Sequence, residues 1–145
     1  MSNLDVGAGH NPRGNVNIDI FDTFSHYSAN FIKASGCYLP FRNKAFNETT
    51  CIHVIEHVKT PLLLIKEIVR VTHGKITIKT PYRNINFSYF KSLVSAGKSP
   101  HLWSFTKTWF IPLQEWFPNT EIYYSQFFVI PLEITVELNT TYRRR

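Results

Sequence analysis

Gly7-Ala8-Gly9 follows a short apolar run, Asn3 to Val6, and Asp19 stands at the end of the next one, Val16 to Ile20. Glycine lets the backbone turn sharply and approach a ligand closely, and an open α/β sheet binds ligands beyond the carboxyl ends of its strands. An acid at the end of the second strand is placed to accept hydrogen bonds from both hydroxyls of a ribose. Asp5, two residues before the first glycine, brings another carboxylate to the same loop. A phosphate-cradling loop is disfavoured, because the longer pattern Gly-x-Gly-x-x-Gly fails at Pro12.

A second group lies in Cys51-Ile52-His53-Val54-Ile55-Glu56-His57. His53, Glu56 and His57 have spacing i, i+3, i+4, which puts them on one side if the chain turns helical there. His101 could close the group from a distance. The plainer reading makes His57 and His101 pocket residues, one of them a general base, with no metal. The alternative makes His53, Glu56, His57 and His101 a metal site, for which three His and one Glu favour Zn, Mn or Co over Mg.

The elements that must position these residues follow from periodicity. Strands are expected at Asn3–Val6, Val16–Ile20, Asn30–Ala34, Glu48–Val54 and Lys75–Thr80. Thr60-Pro61 opens a helix whose apolar face is Leu64, Ile65, Ile68 and Val71, ending near Gly74. Phe87 to Ala96 and Lys107 to Phe117 read as helices. Glu121–Phe128 and Leu132–Leu138, divided by Pro131, read as an antiparallel pair. Parallel strands joined by crossovers imply a three-layer α/β sheet, mostly parallel, with an antiparallel C-terminal strand.

With 145 residues, no repeats and no Pro/Gly-rich linker, the chain is expected to form one domain, 1–145. Hydrophobic residues at 43% and charged ones at 18% exclude a disordered chain. No apolar run approaches the roughly 18 residues of a membrane span. The N-terminus lacks the basic and apolar regions of a secretion signal, so a cytoplasmic setting with Cys37 and Cys51 as free thiols is expected. A net charge of +6 favours polyanionic partners, although the Lys and Arg residues are scattered. Tyr82, Trp103, Phe105, Trp109 and Trp116 are read as core and interface, not as a base-stacking platform.

At the level of motifs the chain resembles class I S-adenosylmethionine-dependent methyltransferases, in the compact type 11-like form. Leu4-Asp5-Val6-Gly7-Ala8-Gly9 is similar to their first motif and Asn17-Ile18-Asp19 to their second. Leu39-Pro40-Phe41 with Ala45-Phe46-Asn47, then His53 to Val58, Glu67, Val69-Arg70-Val71, Gly74 and Thr80-Pro81-Tyr82 match the stretch around strands four and five. The resemblance runs from residue 3 to about 105 and implies an S-adenosylmethionine-dependent methyltransferase, its acceptor an RNA, a protein or a small molecule. It implies that Asp5, Gly7, Ala8 and Gly9 surround the methionyl part of the cofactor, with His10 at its carboxylate. Asp19 would hold the ribose, Ser35-Gly36-Cys37 the adenine, and Cys51, Ile52 and His53 the path to the sulfonium. The metal alternative is likewise similar to sites in small-RNA 2′-O-methyltransferases, where the ion lowers the pKa of the attacking oxygen.

The chain departs from the family at Ser35 and Asn47, where an acid is usual. Only about six residues separate Gly9 from the second strand, too few for a first crossover helix. One sheet face should therefore be thinly covered, and an apolar face left bare costs roughly 25 cal/mol per Å². A second copy or another protein is expected to cover it. These departures also admit another reading, a catalytically degenerate binding subunit on the same fold.

Overall fold

The computed structural model describes residues 2–21, 30–82, 102–127 and 130–141. Seven strands form one sheet in the order β3-β2-β1-β4-β5-β7-β6. They are β1 (Asn3–Val6), β2 (Val16–Asp19), β3 (Phe31–Lys33), β4 (Phe46–Ile52), β5 (Thr72–Pro81), β6 (Glu121–Phe127) and β7 (Ile130–Asn139). The first five run parallel, and β7 lies antiparallel between β5 and β6. The mostly parallel sheet with an antiparallel C-terminal strand is as the periodicity predicts. The strand order reverses direction at β1, beside β4, which is where such sheets bind ligands.

Helix α1 (Pro61–Val71) carries the chain from β4 to β5 and buries Pro61, Leu64, Ile65, Ile68 and Val71. Each apolar side chain of this size contributes roughly 1.5–3 kcal/mol on burial. Thr60 makes no side-chain cap, and its hydroxyl lies 3.8 Å from Cys37 Sγ instead. The helix passes straight into β5 at Thr72, whose hydroxyl donates to the Ile68 carbonyl at 2.6 Å. Arg70 fastens the preceding loop to the helix, donating to the carbonyls of Leu39 at 2.9 Å and Phe41 at 2.7 Å and to Glu67.

The expected Lys107–Phe117 helix is two short ones, α2 (Lys107–Phe110) and α3 (Leu113–Trp116). Pro112 has no N–H to continue the ladder, and the next bonds are tighter three-residue turns, Gln114 N–H to Ile111 O and Glu115 N–H to Pro112 O. Pro131 does not divide the last strands. It lies within β7, beyond Glu133, the last residue paired to β5, so its missing N–H interrupts no bond there. The expected Phe87–Ala96 helix lies outside the described residues.

The described helices pack on one face of the sheet. Leu4, Val6, Ile18, Cys51, Ile76, Ile78, Ile134, Val136 and Leu138 join α1 and Phe105, Phe110 and Phe117 in one core. The register places Asn17, Thr50, Thr77, Lys75, Lys79, Glu133 and Glu137 on the opposite face. Lys75 pairs with Glu137 at 3.0 Å and Lys79 with Glu133 at 3.4 Å. The expectation of a bare apolar face is therefore corrected. Residues 7–15 hold no helix, and among the described residues the face that this crossover would cover is polar. Strict alternation, as in Lys75-Ile76-Thr77-Ile78-Lys79, gives a sheet one apolar and one polar face. Of the aromatic residues read as core, Phe105 is buried and Tyr82 and Trp109 partly so, whereas Trp103 and Trp116 are exposed.

Candidate functional site

A cleft of about 500 Å³ opens across the carboxyl ends of β1 to β4. Its wall includes Gly7, Gly9 and Asp19, then Ser35 and Gly36, then His53 and His57. Seven residues singled out in the sequence thus meet in one place.

Gly7 and Gly9 have φ of +71° and +52°, a conformation that costs an L side chain energy. At Gly7 space is also exhausted, since a Cβ would overlap the Val54 side chain. The amides of Gly7 and Ala8 both donate to the Ile18 carbonyl, at 2.8 and 3.0 Å, which ties the turn to β2. Gly9 N–H then donates to Asp19 Oδ2 at 3.1 Å, and Phe21 N–H to Asp19 Oδ1 at 3.1 Å. Each carboxylate oxygen keeps a second lone pair, so the pair can still accept from a diol.

Other expected residues stand behind this wall or away from it. Asp5 is fully buried, accepting from Arg13 N–H at 2.9 Å and the Thr50 hydroxyl at 2.9 Å. Burial holds its carboxyl above the usual range, against the lowering effect of those bonds. Asp5 braces the loop after Gly9 and does not line the cleft. Ala8, Cys37 and Cys51 are buried in the core, and burial pushes the Cys51 thiol far up, so it stays protonated. His10 is exposed, in a turn closed by Asn11 N–H on the Ala8 carbonyl. Ile52 is half-buried in β4 and is not part of the wall. His101 lies outside the described residues.

His53 directly follows β4 with φ +56°, an unusual backbone for a residue with a side chain. Its Nε2 is 2.9 Å from Glu133 Oε2, and its Nδ1 is 3.5 Å from Glu56 Oε1. Glu56, then Glu133, raise the His53 pKa above its ordinary value against partial burial. Glu56 is buried, with Oε2 accepting from the Thr80 hydroxyl at 3.2 Å and Oε1 3.9 Å from His57 Nε2. Among the described residues no three His, Cys, Asp or Glu side chains converge as a metal-binding group. The two ring nitrogens of His53 face different carboxylates, an ion-pair arrangement.

Sequence reasoning missed the apolar wall: Ile20, Phe21, Ala34, Val54 and Val58. Ile20 and Phe21 are 56% and 51% exposed, and an Ile-Phe pair left open directly after Asp19 was the available signal. Asn47, one of the two departures, sits at the start of β4, roughly 16 Å from the cleft end at about 3.3 Å per residue. That substitution does not reach the site. Ser35 does, and its hydroxyl accepts from Cys37 N–H at 3.2 Å.

Residues 13–75 match the family model for the methyltransferase domain. No curated protein matches the chain in sequence. A SAM-dependent methyltransferase of Thermotoga maritima superposes with a TM-score of 0.71 at 11% identity, over 96% of this chain and 82% of that one. One of Archaeoglobus fulgidus gives 0.70 at 14% identity, over 94% and 85%. A Haloferax volcanii structure, a complex of a methyltransferase with its Trm112 activator, gives 0.65 at 10% identity, over 99% and 83%.

Proposed function

We propose, from the class I methyltransferase fold that this chain carries and the family match within it, that the cleft binds S-adenosylmethionine and that the protein is a methyltransferase. One observation carries the reading: the Asp19 carboxylate and the Gly7–Gly9 turn meet at the carboxyl edge of the sheet, where the strand order reverses. A cleft of about 500 Å³ is of the size that nucleoside-bearing ligands occupy.

The wall suits the parts of this cofactor. Asp19 accepts from the ribose hydroxyls, and Gly9 and Phe21 hold its carboxylate still for that purpose. Ile20, Phe21 and Ala34 offer apolar surface to the adenine ring, with Ser35 and Gly36 at its edge. The Gly7–Gly9 turn admits the methionyl chain, and His53 lines the end of the cleft toward β5. The bound cofactor supplies a methyl group on a sulfonium, ready for direct displacement. What the protein adds is alignment and exclusion of water, which account for much of the rate in such transfers. His57, in the wall beside Glu56, is the described residue placed to take a proton from an acceptor.

The acceptor class stays with the chemistry of the surface: a net charge of +6 favours RNA, ahead of a protein or a small molecule. No described helix is long and apolar enough to cross a membrane. Transfer of a labelled methyl group from S-adenosylmethionine to RNA, to protein and to small-molecule pools tests the reading. Label in one pool supports it. Label in none, with tight cofactor binding, points to the second reading.

That second reading, a degenerate binding subunit, is favoured by the helix-free β1–β2 crossover and by Ser35 in place of an acid. The Haloferax volcanii neighbour was solved as a complex with an activator, which supports a protein partner for this chain as well. A partner or a second copy on the polar face would bind through its Lys and Glu residues.

A further inference from the structure

His53 is held more firmly than a wall residue needs to be. Its backbone N–H donates to the Lys79 carbonyl of β5 at 2.9 Å. Its ring meets Glu133 of β7 at 2.9 Å on one nitrogen and Glu56 at 3.5 Å on the other. The two carboxylates come from opposite sides of the sheet. Glu56 is bonded to Thr80, on the helix-covered face, while Glu133 shares the polar face with Lys79, 3.4 Å away. All this surrounds a backbone with φ +56°, which glycine would adopt at less cost. Strained conformations persist where the surroundings over-determine them, and they cluster at binding sites.

We propose that Glu133 is a positioning residue for the cleft: by accepting from His53 Nε2 it seats the imidazole as the wall at the β5 end, where an acceptor must enter. The proposal rests on the reading that the cleft takes S-adenosylmethionine. With Nε2 on Glu133 and Nδ1 facing Glu56 at 3.5 Å, both ring nitrogens are directed at carboxylates, and His53 shapes the entrance. Lys79 steadies Glu133 from its other oxygen. Glu133 is 80 residues and two strands away in sequence from the loop it serves, and only the β5–β7 register, Pro81 opposite Glu133, brings it there.

The test uses protein labelled with ¹⁵N in its histidines. In the free wild type, the Nε2 proton of His53 should exchange slowly and give a resolved signal. Glu133→Ala should abolish that signal, and Glu133→Gln should retain it because an amide oxygen still accepts. Adding S-adenosylhomocysteine should shift the signal, and its affinity should fall roughly tenfold in Glu133→Ala, about one charge-assisted hydrogen bond. Glu133→Gln should recover most of the loss, which a merely structural lesion would not allow. A His53 signal indifferent to Glu133→Ala, or S-adenosylhomocysteine that binds without moving it, overturns the positioning role. Failure of S-adenosylhomocysteine to bind the wild type overturns the cofactor reading itself, and with it the ligand side of this proposal.

Discussion

The amide of Gly9 donates to Oδ2 of Asp19 at 3.1 Å, joining the turn after β1 to the acid that ends β2. One bond thus couples the two loops that a nucleoside ligand must touch together. Replacing one carboxylate oxygen by an amide N–H removes half of the ribose acceptor and leaves either Gly9 N–H or Phe21 N–H without its partner. Asp19→Asn should weaken cofactor binding by one to two orders of magnitude, at roughly 1.5–3 kcal/mol for a hydrogen bond to a charged group. Calorimetry on the two proteins side by side checks it.

Gly7 is constrained twice, by its positive φ and by Val54 against its α-carbon. Gly7→Ala should destabilise the protein by roughly 1–3 kcal/mol, read as a lowered midpoint in urea. The double change Gly7→Ala with Val54→Ala should recover the steric part and leave the conformational part. Full recovery in the double variant would show that φ contributes nothing.

His53 lies between Glu56 and Glu133, and its pKa in the folded protein is raised above the ordinary value. A raised histidine contributes stability that is fully present below the unfolded value of about 6.5 and is lost as pH rises through the folded one. His53→Asn keeps a residue that tolerates positive φ. The stability advantage of wild type over His53→Asn should be larger at pH 6 than at pH 9. An advantage that does not change with pH would mean the ring is held neutral.

Arg70 bonds two loop carbonyls and Glu67 at once, and Glu67 also accepts from Leu39 N–H at 2.8 Å. The Arg70 guanidinium lowers the Glu67 pKa. The clamp's contribution is therefore present above the ordinary carboxylate value and lost as pH falls through the lowered one. Arg70→Ala should lower the melting temperature at pH 7 and narrow the gap to wild type near pH 3. Arg70 is remote from the cleft wall, so cofactor affinity in the folded variant should change little.

Much of this architecture was legible because two periods dominate it. Alternation in Val16–Asp19 and Lys75–Thr80 marks strands, and Leu64, Ile65, Ile68 and Val71 mark a helix face. The same alternation, applied to the second face, already showed its residues in β5 to be polar: Lys75, Thr77 and Lys79. The break at Pro112 was also present, but the aromatic run from Trp109 to Trp116 obscured it. The glycine turn and Asp19 announced themselves by residue type. Ile20, Phe21 and Val58 did not, since an apolar residue lines a cleft or fills a core according to how the strand ends converge. Glu133 was out of reach for a different reason, because its role depends on the register between β5 and β7.

The cleft between the Gly7–Gly9 turn and His53 is the proposed seat of S-adenosylmethionine. The most direct measurement is calorimetric titration of S-adenosylmethionine and S-adenosylhomocysteine into the purified wild type and Asp19→Ala. Micromolar binding to the wild type at one site per chain, lost in Asp19→Ala, is the predicted result. No binding of either compound up to millimolar concentration would mean that the cleft does not take this cofactor, and binding untouched by Asp19→Ala would mean that it sits elsewhere on the protein.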